Sequence, residues 1–275
     1  MKTIIVPTDF SSTAANAVDY AIAMAKEINA SIVLMNAYQV PVTVTADTAI
    51  VVVAEEDLRN SAQFHLNKLK TETEEKTSGS VKIYTELRLG DPIAELEELS
   101  NTIKPFAIVM GSNGHSGIEQ ALFGSTTLKV IRHIEWPVIA VPPGKKYTGI
   151  KKIGFACDYK QVVETTPSQL IKDFVNSFHA EFHVLNVDFE NRHFKPETPE
   201  ESLLVHTLFE ELNPVYDFIE NPDVPKGIDN FAEKNNLDLL ITIPKKHTLL
   251  EGLFRKSATK QLVSNSHLPV MCVHE

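Results

Sequence analysis

Gly111-Ser-Asn-Gly-His-Ser-Gly-Ile-Glu-Gln-Ala-Leu-Phe-Gly-Ser-Thr126 follows a short apolar run, Phe106-Ala-Ile-Val-Met110, and leads into a stretch of helical periodicity. A strand, a glycine-rich loop and a helix in that order place the loop at the carboxyl end of a central strand, where open α/β sheets bind ligands. Glycine lets the backbone approach a ligand closely and adopt positive φ, and the free N–H groups of a helix start attract anions. The loop reads as a phosphate cradle. From the glycines alone, a surface turn with Ser125 as an ordinary N-cap is the competing reading.

Two better-known phosphate loops do not fit. A Walker A loop needs Gly-x-x-x-x-Gly-Lys followed by Ser or Thr, and no such run occurs. A dinucleotide fingerprint needs Gly-x-Gly-x-x-Gly after the first strand, whereas this loop lies near residue 111 with different spacing.

The chain has 275 residues, enough for two modest cores. With 2 cysteines, Cys157 and Cys272, it has no disulfide framework and suits a reducing compartment. The apolar run after Met1 is too short for a signal peptide, and no run approaches membrane-spanning length, so a cytoplasmic protein without membrane association is expected. The net charge of -10 disfavours nonspecific nucleic-acid binding. Local charge still governs a nucleotide site, because screening acts over about 8 Å.

The chain repeats itself. Lys2-Thr-Ile-Ile-Val-Pro-Thr-Asp9 is echoed by Lys151-Lys-Ile-Gly-Phe-Ala-Cys-Asp158. Ala30-Ser-Ile-Val-Leu-Met-Asn-Ala37 is echoed by Ala180-Glu-Phe-His-Val-Leu-Asn-Val187, and Trp136-Pro-Val-Ile-Ala-Val141 by Leu268-Pro-Val-Met-Cys-Val273. Three echoes in the same order imply a duplicated domain, with domains at 1–144 and 145–275 joined through the turn-rich Pro142–Gly149 stretch.

Within the first repeat the patterns predict strands at 2–7, 31–37, 81–88, 106–110 and 137–141, with helices at 12–28, 54–77, 92–102 and 125–134. In the first helix Ala14, Ala17, Val18, Ala21, Ile22, Ala25 and Ile28 form one apolar stripe, and Ser11 or Ser12 can cap its start. The second repeat carries strands near 152–156, 181–187, 215–219, 238–243 and 269–273. Such alternation predicts α/β domains with parallel sheets covered by helices on both faces. Segment 38–53 is either an apolar flap or an extra strand.

Strand-Pro7-Thr8-Asp9-Phe10-Ser11, the Gly111-x2-Gly114-x9-Gly124-Ser125 loop and the Trp136-Pro-Val strand resemble the universal stress protein family in its tandem form. The resemblance implies two tandem, open, Rossmann-like parallel sheets of five strands in order 3-2-1-4-5, with ATP held between the first and fourth strands. Pro7, Thr8 and Asp9 would then line the adenine and ribose side, with Ala37 offering backbone groups to the base. Met110 and Gly111 would flank the ribose. Gly114, His115, Gly124, Ser125 and Thr126 would supply donors to the phosphates, and Mg²⁺ would accompany them. Asp9 also reads as an Asx-type cap for the following helix, a role compatible with the first.

The second repeat departs from the motif. Aligned through Pro137 and Pro269, Gly124-Ser125 becomes Lys256-Ser257, and Gly111 and Gly114 fall near Pro244 and His247 with one residue deleted between. Proline removes a donor and lysine fills space that a backbone cradle needs empty, so one nucleotide site is expected, in the first repeat. Lys245, Lys246, Arg255, Lys256 and Lys260 nearby suit another anion or an acidic partner, or simply a solvated charged face.

Catalysis has little support. No HExxH or Gly-x-Ser-x-Gly occurs, and His179 and His183 have no acidic or cysteine partner placed by sequence. Both cysteines read as small buried apolar residues. The function classes are therefore an ATP-binding regulatory module with slow or no turnover, a non-nucleotide interaction protein, or a slow ATPase. The closing strands 137–141 and 269–273 would leave open sheet edges, and the family resemblance implies dimers paired through this last strand, so they are expected to pair with each other as an intrachain pseudo-dimer, which leaves further homo-oligomerisation open.

Overall fold

A computed structural model of the chain describes residues 1–40, 42–45, 48–51, 55–112, 125–190, 196–244 and 258–275; for 42–45, 48–51 and 125 the backbone alone is described. Two compact units result, Met1–Met110 and Gly111–Glu275.

The first unit holds β1 (Thr3–Pro7), α1 (Ser12–Glu27), β2 (Ser31–Tyr38), β3 (Val42–Thr45), β4 (Thr48–Val51), α2 (Glu55–Thr77), β5 (Ile83–Leu89), α3 (Pro92–Ile103) and β6 (Ala107–Gly111), the last ending on the boundary. Its parallel strands run β5-β2-β1-β6. In β1 the side chains of Ile4, Ile5 and Val6 are all fully buried, as a central parallel strand covered on both faces requires. Each helix has a sequence reason to start and a face to bury. Ser11 caps α1 by accepting from the Ala14 N–H at 3.2 Å, and every member of the expected apolar stripe is buried. Asp91 caps α3 by accepting from the N–H groups of Ile93 and Ala94, with Pro92 in the first turn, where its missing donor costs nothing. Segment 38–53, left open between flap and strand, contributes β3 and β4, a separate antiparallel ribbon with Thr45 opposite Thr48.

The second unit continues with α4 (Ser125–His133), β7 (Val138–Val141), β8 (Lys152–Ala156), α5 (Val162–Thr165), α6 (Ser168–Phe178), β9 (Glu181–Asp188), α7 (Thr198–Phe209), β10 (Val215–Glu220), α8 (Val224–Lys234), β11 (Leu239–Thr242), α9 (Ala258–Asn265) and β12 (Val270–Cys272). Its strands run β10-β9-β8-β11-β12-β7. The first five are parallel in the expected 3-2-1-4-5 order.

The closing strands meet as expected. β7 pairs antiparallel with β12, in the register Val270 to Ala140, Met271 to Ile139 and Cys272 to Val138. All six side chains are buried. This ladder is why residues 111–144, first repeat by sequence, are grouped with the second unit. Cys272 sits inside it, fully buried, and burial pushes its thiol well above the usual range. Native protein is accordingly expected to leave Cys272 unmodified by a thiol reagent until denaturant is added, a contrast that mass spectrometry of alkylated peptides reads directly.

Candidate functional site

In the first unit β1 lies between β2 and β6, with Pro7 opposite Met35 and Ile5 opposite Ile108. The chain passes from β1 through β2 to β5 on one side and returns to β6 on the other. The carboxyl ends of β1 and β6 thus form a topological switch point, where the outgoing connections diverge and leave a crevice.

The turn leaving β1 is organised residue by residue. The Thr8 N–H donates to the Met35 carbonyl at 2.8 Å, carrying the ladder one residue past the strand. Its carbonyl accepts from the Asn36 carboxamide at 2.8 Å, and its Oγ1 accepts from the Phe10 N–H at 3.0 Å. Phe10 takes φ 64, so the chain reverses sharply there. Asp9 Oδ1 accepts from the Ser11 N–H at 3.0 Å. Asp9 therefore makes the Asx turn that its position predicts, while the helix cap itself is Ser11. Thr8 is buried and Asp9 exposed.

Pro7, Thr8, Asp9, Ala37 and Met110 thus stand at the carboxyl ends of three adjacent strands of the first unit. Gly111 and Thr126 belong to the second unit, where the Thr127 hydroxyl donates to the Gly111 carbonyl at 2.9 Å. This bond ties the two ends of the glycine loop together. Thr127 is buried whereas the expected phosphate donor Thr126 is exposed. Gly114, His115 and Gly124 lie outside the described residues, as does the side chain of Ser125.

Asn36 and Thr127 escaped the motif reading. A signal for both existed in the repeat, because Asn186 and Thr259 stand at the corresponding positions. Asn186 donates to the Cys157 carbonyl at 2.9 Å, and the Cys157 N–H donates to Leu185. Thr259 Oγ1 lies 3.2 Å from Thr242 Oγ1. Replacing Asn36 by Ala is expected to cost about 1–3 kcal/mol in urea unfolding, since the buried Thr8 carbonyl loses its partner.

The register also corrects the alignment of the second repeat. The Phe106 N–H donates to the Thr3 carbonyl, and the Asp238 N–H donates to the equivalent Lys152 carbonyl. Phe106 and Asp238 are therefore in the same relation as Pro137 and Pro269, and the loops between are equal in length. No residue is deleted. Ile243 takes the place of Gly111, and Pro244 that of Ser112. A cleft of about 310 Å³ at the β8 and β11 ends is lined mainly by apolar side chains, among them Phe155, Val162, Ile228 and Leu262. Lys245, Lys246, His247, Arg255, Lys256 and Ser257 lie outside the described residues.

The two histidines of the i, i+4 pair stand on different elements. His179 ends α6 with φ 51, while His183 on β9 is buried with Nδ1 2.7 Å from Asp217 Oδ2 and Nε2 3.1 Å from Glu181 Oε1. Sequence spacing could not show Asp217, which arrives from a neighbouring strand, whereas Glu181 lies two residues away on the same strand.

The duplicated fold has counterparts in known proteins. The model of the universal stress protein family matches residues 1–142 and again 162–274, so the chain belongs to that family, with two copies in tandem. Membership places it among stress-response proteins. A universal stress protein of Methanocaldococcus jannaschii is 35% identical over 147 residues, covering 53% of this chain and 84% of the relative. The universal stress protein YxiE of Bacillus subtilis is 29% identical over 143 residues, covering 50% of this chain and 97% of the relative. The crystal structure of a universal stress protein from Archaeoglobus fulgidus superposes with a TM-score of 0.75, covering 99% of this chain and 98% of that one, at 17% identity. That likeness extends the shared fold over the whole chain. No helix among the described residues is long and apolar enough to cross a membrane.

Proposed function

We propose that the chain is a nucleotide-binding regulatory module that takes one ATP in its first repeat. The observation that carries this reading is the β1–β6 switch point, whose turn is held rigid by Thr8, Asn36 and Asp9. A crevice whose backbone is already fixed binds without the entropy of ordering it.

In this reading Pro7, Thr8 and Asp9 face the adenosine, Ala37 offers its backbone to the base, and Met110 and Gly111 flank the ribose. The loop that follows in sequence, with Gly114, His115, Gly124, Ser125 and Thr126, supplies N–H and hydroxyl donors to the phosphates. Mg²⁺ is held chiefly by phosphate oxygens and water. Hydrolysis is slow or absent, because phosphoryl transfer to water needs a positioned nucleophile and no residue is assigned that role.

The test is nucleotide content of the purified chain by chromatography after denaturation, followed by calorimetric titration with Mg-ATP. One ATP per chain is expected. Two equivalent sites, or no saturable binding, would overturn the reading. Turnover near the enzyme median of about 10 s⁻¹ would overturn its regulatory part.

A further inference from the structure

We propose that two copies of this chain associate edge to edge through β5, pairing antiparallel about Leu87. β5 is the outer strand of its unit and pairs, among the described residues, with β2 alone. That ladder runs unbroken from Ile83 to Leu89, with no proline and no bulge to blunt the free edge.

The ladder fixes which backbone groups remain free. The Ile32 N–H donates to the Lys82 carbonyl and the Gly90 N–H to the Tyr38 carbonyl, so the even-numbered residues bond toward β2. Alternate residues of a parallel ladder point their groups the other way, which leaves the N–H and C=O of Ile83, Thr85, Leu87 and Leu89 facing outward.

Charge then selects the register. Centred on Leu87, Thr85 and Leu87 exchange ladder bonds with Leu89 and Leu87 of the second copy, and Glu86 of each copy stands opposite Arg88 of the other. These two occupy a pair without ladder bonds, where facing side chains come closest. Centring on Glu86 or on Arg88 sets like charges face to face. Centring on Thr85 sets Arg88 against Lys82, and centring on Leu89 shortens the ladder and leaves both charges unopposed. Exposed ion pairs add little affinity, so they choose the register while backbone bonds and apolar contact hold it.

The strand presents what this register needs. Glu86 and Arg88 share one face, with Arg88 3.4 Å from Glu86 and 3.7 Å from Glu98 of α3. On the same face Tyr84 is 52% exposed, and the pairing sets it beside Gly90 of the second copy, where an aromatic ring covers the place of a missing side chain. On the other face α2 lies over β2 and β5, so the two-fold brings its two copies about 10 Å apart, an ordinary helix-packing distance.

The second repeat lacks this edge. Gly90 and Asn221 donate to the equivalent carbonyls of Tyr38 and Asp188, so Asp217 and Ile219 stand where Glu86 and Arg88 do. No opposite charges face each other there, and Asp217 is turned to His183.

The test is sedimentation velocity of the full chain from about 1 to 200 μM, a range set around the dissociation constant of about 10 μM expected of a small, partly polar interface. A concentration-dependent equilibrium of monomer and dimer is expected. Arg88→Glu and Glu86→Arg should each weaken it at least about tenfold, because each sets like charges opposite one another on both sides of the two-fold. An equimolar mixture of these two variants should dimerise about as well as the original chain, since every facing pair is again of opposite sign. Thr85→Pro, which removes an outward N–H, should weaken association about tenfold. Glu233→Arg, exposed on α8, should change nothing. Urea midpoints confirm that the variants fold, and the two charge variants keep the test open if Thr85→Pro does not. A chain that stays monomeric at about 200 μM overturns the proposal. So does a dimer indifferent to both charge variants, or a mixture of the two that associates no better than either alone.

Discussion

Gly124→Val is expected to lower ATP affinity at least about a hundredfold, by removing two or more charge-assisted phosphate contacts. In the proposed site a branched side chain at this position would enter the space meant for a phosphate and would resist a positive φ. On either side of that stretch, the Thr127 hydroxyl ties α4 to the Gly111 carbonyl. Gly114→Val should act alike, and the double variant should bind no measurable nucleotide. Calorimetry on variants with native urea midpoints reads the effect. Unchanged affinity in a folded double variant removes the glycine loop from the site and with it the nucleotide reading. Any ATP hydrolysis intrinsic to the chain must vanish with the same substitution, whereas activity from a contaminant will persist.

Ile139→Asp is expected to destabilise the chain by more than about 4 kcal/mol, a large share of the about 5–15 kcal/mol that holds a typical domain folded. Ile139 is fully inaccessible at the centre of β7, opposite Met271 of β12, which is equally buried. A carboxylate there has neither water nor a cation and must either take up a proton or open the ladder. Ile139→Val, which removes one methyl group, should cost only about 0.5–1.5 kcal/mol. Hydrogen exchange of amides in 138–141 and 270–272 reads the ladder directly. A folded Ile139→Asp chain with native protection at those amides would show that β7 and β12 do not depend on each other.

Most of the secondary structure was legible because its signals are local. The α1 stripe recurs at helical spacing, Ser11 and Asp91 cap through their own backbone neighbours, and the buried parallel strands read as short apolar runs. The duplication was legible for the same reason, whereas the pairing of the two closing strands followed from their open edges and the family resemblance. Segment 38–53 was not, because alternating valines and threonines suit a ribbon and a sheet edge equally. The counterpart of Gly111 in the second repeat, expected near Pro244, is set by strand register and not by residue type. The hydrogen bonds of Phe106 and Asp238 instead align Gly111 with Ile243.

By itself the sequence determined the tandem α/β architecture, the family, whose resemblance implied the strand order, and the side of the chain on which a glycine loop survives. These depend on periodicity, chain order and motif spacing, all one-dimensional. The tertiary structure alone decided which polar groups meet. Asn36 reaches the Thr8 carbonyl across 28 positions, Thr127 closes the loop on Gly111, and His183 is held between Glu181 and Asp217. It also decided that Asp188 and Glu220 stand side by side on adjacent strands. Such encounters arise from strand register and crossover geometry, which place distant residues in contact and leave no local pattern in the chain.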